Sequence, residues 1–324
     1  MSFYKRIVLT GGDPGGIGPE IIFKTMKMSN TKTPIAIIVT QEIINHPLIK
    51  PFLKWCTIIN DLSKLSEIKT KEPVIIALEE KEVMSIGKPS KENGKLSIKF
   101  LNSALEGLKS GLFCALVTGP ISKTSWHLAS IKETGHTSFL KKETKSVHVS
   151  MAFYSHYFKT ILSTIHVPLS KVPTLLNETL LHQTLKHAIE YAHLLKIENP
   201  RFALAGLNPH AGENGLFGSE EETLLKPFVK KNQHLSLEGP ISPDTLYHRA
   251  IQKEWDIVIS LYHDQALMPL KAVDFNHAVN LTIGLPFIRT SPDHGTAFEK
   301  AYQGISSPYS TIAALELADQ LCTN

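Results

Sequence analysis

Three histidines in three different sequence contexts are the residues of this chain that most directly suggest chemistry. They are His166 in T-I-H-V-P-L, His210 in G-L-N-P-H-A-G-E and His263 in L-Y-H-D-Q-A. Each follows an apolar run typical of a β-strand, and open α/β sheets bind their ligands just beyond the carboxyl ends of strands. Neutral imidazole is the commonest protein ligand for zinc and similar ions. Three such ligands leave coordination positions open, as a catalytic metal site requires.

The competing interpretation is that these are ordinary surface or core residues, because the chain has 15 histidines and most histidines bind no metal. Turn-forming residues favour the metal site: Asn-Pro and Ala-Gly flank His210, Asp-Gln follows His263, and a proline lies two residues beyond His166. The separations along the chain (210 − 166 = 44 and 263 − 210 = 53) match no local metal-binding motif. The fold would therefore have to assemble the site.

The bulk composition indicates a globular enzyme. A chain of 324 residues is longer than a single typical core, which predicts two domains. Its 42% hydrophobic and 20% charged residues are ordinary for such a protein. The net charge of +4 is spread along the chain without a compact basic block, which argues against nucleic-acid binding.

The cysteines and the amino terminus indicate the cellular compartment in which we expect the protein. Cys56, Cys114 and Cys322 are too few and too widely spaced for a disulfide framework, which predicts reduced thiols, with Cys114 a small buried residue. The amino terminus lacks the apolar core of a signal peptide, and no run reaches about 18 apolar residues. We therefore expect a cytoplasmic protein without membrane association.

Short β-branched runs alternate with longer amphipathic stretches from end to end, which predicts an α/β fold with a mostly parallel sheet covered by helices. The predicted strands are Ile7–Thr10, Ile35–Thr40, Val74–Leu78, Ala115–Thr118, Val147–Phe153, Ile161–Ile165, Phe202–Leu207, Ile257–Leu261 and Val279–Ile283. The predicted helices are Pro19–Met28, Leu96–Lys109, Thr179–Leu195, Glu220–Lys231 and Tyr309–Leu321.

A glycine-rich segment, T-G-G-D-P-G-G-I-G-P-E, follows the first predicted strand. Its glycines impose a tight path that would let a ligand approach the backbone, and Pro19 suits the first position of the next helix. A purely structural turn explains the segment equally well. It contains neither the dinucleotide fingerprint G-x-G-x-x-G nor a P-loop.

Two further loops carry polar groups. Lys123 ends the loop T-G-P-I-S-K, and His136 and Thr137 in G-H-T-S-F-L are suited to donate hydrogen bonds to an anion. Thr137 is equally suitable as the N-cap of a helix that starts at Ser138.

Lys271, Asn280 and Arg289 follow at intervals of nine residues (271, 280, 289). Arg289 ends the apolar run G-L-P-F-I-R-T, where a buried guanidinium is costly without an anionic partner. Arginine binds phosphate or carboxylate through two parallel hydrogen bonds, so an anionic ligand is one explanation. A structural salt bridge to Asp293 or Asp274 is the other.

Three acidic residues complete the set of candidates: Asp244, Asp264 and Asp293. Each is suited to act as a general base or to orient a metal-bound imidazole. Asp244 is also well placed to cap the helix that follows it.

Taken together, these segments resemble the 4-hydroxythreonine-4-phosphate dehydrogenase family of vitamin B6 (pyridoxal phosphate) biosynthesis. The resemblance runs over nearly the whole chain, through G-D-P-G-G-I-G-P-E, G-P-I-S-K, G-H-T-S-F-L, L-N-P-H-A-G-E, Y-H-D-Q and G-L-P-F-I-R-T-S-P-D-H-G-T. It implies that the metal ligands are His166, His210 and His263, and that the substrate contacts are His136, Thr137, Lys271, Asn280 and Arg289. Two local departures, A-L-M-P-L-K after Y-H-D-Q and proline in S-P-D-H-G-T, remove no polar group.

The resemblance also implies a homodimer with a shared active site, in which we expect His263 to come from the partner. The fold it implies has two α/β/α domains like those of isocitrate and isopropylmalate dehydrogenases, which lack the Rossmann fingerprint. We place the first domain at residues 1–125 plus 285–324 and the second, with the metal ligands, at 126–284, with the active site in the cleft between them. The implied cofactors are NAD or NADP, whose binding residues stay unassigned, and one Zn, Mg or Co ion per site.

The implied reaction is oxidation of 4-phosphooxy-L-threonine. The metal lowers the pKa of the substrate hydroxyl, a carboxylate accepts its proton, and a hydride moves to the nicotinamide. The resulting 2-amino-3-oxo acid loses carbon dioxide to give 3-amino-2-oxopropyl phosphate. The catalytic candidates are Asp244, favoured as the base, with Lys123 and Asp264. The alternatives are a dehydrogenase of 4-phosphothreonate, 4-phosphoerythronate or an aromatic diol, or a non-catalytic protein that binds a phosphorylated metabolite.

Overall fold

Strands and helices alternate along the structure, a computed structural model that describes residues 4–323. The strands are β1 (Arg6–Thr10), β2 (Ile35–Thr40), β3 (Thr57–Ile59), β4 (Val74–Leu78), β5 (Phe113–Thr118), β6 (Ser150–Tyr154), β7 (Lys159–Leu162), β8 (Phe202–Ala205), β9 (Leu237–Ile241), β10 (Ile257–Ser260), β11 (Val279–Ile283) and β12 (Ile288–Pro292). The α-helices are α1 (Gly18–Met28), α2 (Gln41–Asn45), α3 (Lys91–Lys109), α4 (Lys123–Leu128), α5 (His136–Glu143), α6 (Val172–Leu175), α7 (Glu178–Leu194), α8 (Lys226–Asn232), α9 (Pro243–Ile251), α10 (His263–Val273) and α11 (Tyr309–Thr323). The predicted α/β class is confirmed.

All nine predicted strands are present, and β2, β4 and β11 have the predicted bounds. The strand predicted to reach Ile165 ends at Leu162, because Thr164 turns the chain and its hydroxyl donates to the carbonyl of Leu261 at 2.7 Å. Strands β3, β9 and β12 were not predicted, nor were α2, α4, α6 and α10, and helices at the positions of α5 and α9 were considered only as capping alternatives. Most of these elements are short, so their hydrophobic periodicity is weak. The helix predicted at Glu220–Lys231 is a π-helical turn, Glu221–Leu225, followed by α8.

The chain divides into two compact units. Unit 1 comprises the chain up to Lys145 together with Leu285–Thr323, and unit 2 comprises Ser146–Gly284. The predicted boundary after residue 125 is therefore twenty residues too early. The reason lies in α4, where Trp126 is buried and its indole nitrogen donates to Ser97 of α3 at 2.8 Å. This contact holds the segment after residue 125 to unit 1.

In unit 1 the strands lie in the order β3-β4-β2-β1-β5-β12, and all neighbouring pairs are parallel. Strands β1 and β2 are buried along their whole length. Helices α1, α3 and α11 pack against this sheet or against one another. Burial on both faces explains why these strands read as continuous apolar runs.

The glycine-rich segment is internal to unit 1. Residues 11–20 are all buried, and the amide of Ile17 donates to the carbonyl of Thr296 at 2.9 Å. A Cβ atom on Gly15 would lie 2.1 Å from the carbonyl oxygen of Ser85. The glycines therefore serve close packing, which favours the structural turn over the ligand loop.

In unit 2 the order is β11-β6-β7-β10-β8-β9. The pairs β11/β6 and β6/β7 are antiparallel, whereas β7/β10, β10/β8 and β8/β9 are parallel. A buried cluster that includes Phe153, Leu162, Val258 and Leu270 forms the core. The carboxyl ends of β7, β10 and β8 consequently lie side by side at one edge of this sheet.

The cysteines are free thiols, as predicted. Cys114 is half-buried, not enclosed as predicted, and its Sγ lies 2.6 Å from Sγ of Cys322 in α11. Between residues 4 and 323, none of the helices combines the length and apolar character needed to cross a membrane.

Candidate active site

Strands β7, β10 and β8 each lead into a turn that carries one of the three histidines. His166 follows β7, His263 is the first residue of α10 after β10, and His210 follows β8. Because these strands are parallel neighbours, the structure places all three turns at the same edge of the unit 2 sheet.

His166 and His263 form a close pair. Their ring centroids lie 5.4 Å apart, with 46° between the ring planes. The carboxylate oxygen Oδ1 of Asp264 lies 2.6 Å from Nδ1 of His263, which leaves Nε2 of that imidazole for a further ligand. With metal–nitrogen bonds of about 2.0–2.1 Å, two imidazoles on one tetrahedral ion have centroids roughly 5 Å apart. The pair therefore fits two positions of a zinc-type site.

A pocket of about 410 Å³ opens beside this pair. Its polar lining comes from Thr164, Tyr262 and Asp264 as well as the two histidines, and its apolar lining includes Leu169 and Met268. A pocket in which polar groups converge beside apolar side chains is typical of a ligand site.

His210 lies in an unusual turn. Residues 210–214 all have positive φ angles between 41° and 79°, a left-handed conformation that costs roughly 1–2 kcal/mol for each non-glycine residue. His166 also has a positive φ, 46°. The imidazole of His210 is exposed, and its Nδ1 lies 3.9 Å from Oδ2 of Asp244. Strain of this kind clusters at functional sites.

The third histidine does not join the pair within one chain. Among residues 4–323 there is no group of three or more histidine, cysteine or acidic side chains arranged to hold a metal ion. His263 lies beside His166 of the same chain, so the expectation that the partner contributes His263 alone does not fit this geometry.

Asp244 accompanies His210. Its Oδ1 accepts a hydrogen bond from the Ser242 hydroxyl, and this bond lowers the pKa of the Asp244 carboxyl. The N-cap of α9 is Ser242, so the alternative in which Asp244 caps this helix is wrong. An exposed, ionised carboxylate next to His210 is suited to accept a proton.

Arg289 is a buried cation in unit 1. It lies in β12 next to β5, and its guanidinium donates to Oγ1 of Thr118 at 2.7 Å. Burial lowers the pKa of Arg289 to about 10. Asp274, one of the two salt-bridge partners considered, accepts a hydrogen bond from Ser155.

His136 is the first residue of α5, with Gly135 as its N-cap, so the alternative in which Thr137 caps the helix is wrong. Burial and the charge of Arg289 hold the pKa of His136 well below its usual range. Its Nε2 is shielded from solvent and has no hydrogen-bond partner within the described part of the chain. A neutral imidazole with an unused nitrogen is suited to bind a ligand oxygen.

The remaining candidates differ in their surroundings. Lys271 is half-buried in the last turn of α10. Asn280 lies in β11 opposite Phe153, and among the described residues its shielded Oδ1 has no hydrogen-bond partner. Lys123 is the exposed first residue of α4, not the end of a loop.

Two side chains that sequence reasoning missed hold these turns in place. The Gln265 carboxamide accepts from the amide of Leu261 and donates to the carbonyl of Gly206, both at 2.7 Å, and so links the ends of β10 and β8. The Glu221 carboxylate accepts from the amides that precede the His210 turn. Glu221 stands between two other glutamates, so no sequence signal singles it out.

An α/β fold with imidazoles and carboxylates at the ends of parallel strands has the arrangement that is typical of ligand-binding enzymes. Comparison with known proteins agrees. The family model for pyridoxal phosphate biosynthetic protein PdxA matches residues 30–318. A 4-hydroxythreonine-4-phosphate dehydrogenase from Thermosynechococcus vestitus is 37% identical, over 97% of this chain and 96% of that protein. A D-threonate 4-phosphate dehydrogenase from Pectobacterium atrosepticum is 35% identical, over 98% and 99%.

Comparison with a solved structure indicates the same family. The 4-hydroxythreonine-4-phosphate dehydrogenase of Klebsiella pneumoniae superposes with a TM-score of 0.85 at 31% identity, covering 100% of this chain and 99% of that one. The chain belongs to the PdxA family and is an oxidoreductase, which confirms the resemblance found in the sequence.

Proposed function

We propose that this chain is an NAD(P)- and metal-dependent dehydrogenase that oxidises 4-phosphooxy-L-threonine in pyridoxal phosphate biosynthesis. The observation that carries this proposal is the His166–His263 pair, with Asp264 on Nδ1 of His263, at the ends of parallel strands. The carboxylate fixes the orientation of the ring and the tautomer that presents Nε2 to a metal ion. The identity of the relatives supports the substrate.

We propose that the chain acts as a homodimer in which His210 of one copy completes the His166–His263 pair of the other. Exposed apolar side chains lie on both sides of this contact. Leu169 and Met268 line the pocket of the pair and are 64% and 66% exposed. Beyond His210 in the chain, Leu216 and Phe217 are 77% and 51% exposed. Apolar patches next to polar ligand groups are typical of protein interfaces.

The residues of the chain then have distinct tasks. A divalent ion, when bound, lowers the pKa of the substrate hydroxyl, and NAD(P), when bound, accepts the hydride. Asp244, which lies beside His210, accepts the hydroxyl proton. The substrate phosphate and carboxylate are bound by the residues predicted for them, which are His136, Thr137, Lys271, Asn280 and Arg289. Oxidation gives a 2-amino-3-oxo acid, which loses carbon dioxide to form 3-amino-2-oxopropyl phosphate.

A second substrate has a specific observation in its favour. The D-threonate 4-phosphate dehydrogenase of Pectobacterium atrosepticum is nearly as similar to this chain as the first relative. The two substrates differ in whether carbon 2 carries an amino or a hydroxyl group.

The deciding experiment is the rate of NADH or NADPH formation with each substrate, with Zn²⁺, Co²⁺ or Mg²⁺ added and after chelation. We expect metal-dependent turnover of 4-phosphooxy-L-threonine, and little turnover of D-threonate 4-phosphate. The reverse preference would assign the chain to the second activity. No turnover of either, despite tight binding of a phosphorylated ligand, would indicate a non-catalytic binding protein.

A further inference from the structure

We propose that Glu221 is a positioning residue that holds the His210 turn in the conformation required for metal binding. This inference rests on the proposed metal site. It concerns a residue that contacts neither metal nor substrate in the proposed reaction.

The Glu221 carboxylate is fully buried and directed at the start of the turn. Its Oε1 accepts from the backbone amides of Leu207 and Asn208, at 2.7 and 2.8 Å. Its Oε2 accepts from the side-chain amide of Asn208 at 2.8 Å. Three donors thus converge on one carboxylate immediately before Pro209 and His210. Charged acceptors form stronger hydrogen bonds than neutral ones.

The turn itself packs onto the same carboxylate. Gly212, with φ +79°, lies so close that an added Cβ would be 2.8 Å from Oε2 of Glu221. The left-handed residues 210–214 begin two residues beyond Asn208. Because left-handed backbone is unfavourable for L-residues, it persists only where surrounding contacts enforce it.

The helix that carries Glu221 is itself irregular. Residues Glu221–Leu225 form a π-helical turn, a feature that is frequent at functional sites. The preceding glutamate contributes to the same cluster, since Oε2 of Glu220 accepts from the Asn208 side-chain amide at 2.8 Å. The next one does not, because Glu222 is exposed and pairs with Lys226. Adjacent glutamates therefore provide a matched comparison.

The test compares Glu221→Gln with Glu222→Gln, which remove the same charge one residue apart. Glutamine at 221 can keep an oxygen on the backbone amides, but its NH₂ then faces the NH₂ of Asn208, so two donors oppose each other. We measure Co²⁺ and Zn²⁺ affinity by competition with a chelator, and hydrogen exchange of the peptide that spans residues 206–215. Loss of an outer contact of this kind weakens metal binding by about 10–100-fold, which we expect for Glu221→Gln together with faster exchange in that peptide. For Glu222→Gln we expect a change of at most about twofold and unchanged exchange.

The remaining variants distinguish the proposed role of His210 as a metal ligand from the proposed positioning role of Glu221. If His210→Ala binds metal like the wild type, the proposed role of His210 as a ligand fails. If His210→Ala loses the metal but Glu221→Gln behaves like Glu222→Gln in both measurements, the positioning role is overturned. Should Glu221→Gln fail to fold, Glu221→Asp keeps the charge but withdraws it by one methylene. Weaker metal binding by Glu221→Asp with an unchanged melting temperature supports the positioning role, and wild-type affinity overturns it.

Discussion

Replacement of Arg289 by methionine should stabilise the ligand-free protein while abolishing recognition of a phosphorylated substrate. Arg289 is 4% exposed, and burial lowers the pKa of its guanidinium to about 10. A base whose pKa is lower in the folded than in the unfolded state destabilises the fold while it is charged. This destabilisation is complete at neutral pH and begins to diminish only as the pH rises above about 10.

The size of this destabilisation follows from the difference between the folded-state and unfolded-state pKa values of Arg289. The lowering from the ordinary guanidinium pKa to about 10 corresponds to roughly 3 kcal/mol, at about 1.36 kcal/mol for each pKa unit. Methionine retains most of the apolar stem but removes the hydrogen bond to the Thr118 hydroxyl, a loss of at least about 1 kcal/mol. The net gain of up to about 2 kcal/mol should raise the melting temperature by up to roughly 4–8 °C for a unit of this size.

Thermal denaturation with and without inorganic phosphate, combined with steady-state kinetics, checks both halves of this prediction. Phosphate should raise the melting temperature of the wild type but not of Arg289→Met. As a matched control, Arg289→Lys keeps a charge but lacks the planar fork, so kcat/KM should fall by at least about tenfold, or roughly 1.4 kcal/mol. Its melting temperature should change little.

One result would refute this reasoning. If Arg289→Met lowers the melting temperature by several degrees while kcat/KM stays intact, Arg289 belongs to a structural ion pair and has no role in anion binding.

Three further predictions concern the metal, the dimer and a buried acid. Chelation should abolish turnover, and added Zn²⁺, Co²⁺ or Mg²⁺ should restore it. The His210→Ala variant should lack both metal and activity, so turnover by this variant after chelator treatment would contradict the assignment of His210 as a metal ligand. Subunit exchange between inactive His166→Ala and His210→Ala should return up to about half of wild-type activity per heterodimer. The control mixture of His166→Ala and His263→Ala should stay inactive, because both ligands come from one chain; recovery there and not in the first mixture would restore His263 as the partner's ligand. Burial raises the pKa of Asp13 to about 6, so the stability of the wild type should fall as the pH rises from the ordinary aspartate range through about 6. Asp13→Asn should therefore be more stable than the wild type at pH 7 by up to roughly 3 kcal/mol but not at pH 4. Urea denaturation at the two pH values measures this, and parallel pH profiles for the two proteins would exclude it.

The sequence by itself determined the elements with strong apolar patterns and the groups capable of chemistry. Strands such as Ile35–Thr40 and Val74–Leu78 were predicted with their observed bounds, because continuous β-branched runs have strong local preferences. The position of His166, His210 and His263 at one sheet edge was also predictable, since the carboxyl ends of parallel strands lie together.

Only the tertiary structure decided which of these groups meet. Along the chain β8 lies between β7 and β10, yet in the sheet β10 lies between β7 and β8, so His263 and not His210 becomes the neighbour of His166. Likewise, burial selects Glu221 from three consecutive glutamates to hold the His210 turn. Strand order and burial arise from contacts between residues far apart in the chain, whereas a sequence pattern reports the preferences of neighbouring residues.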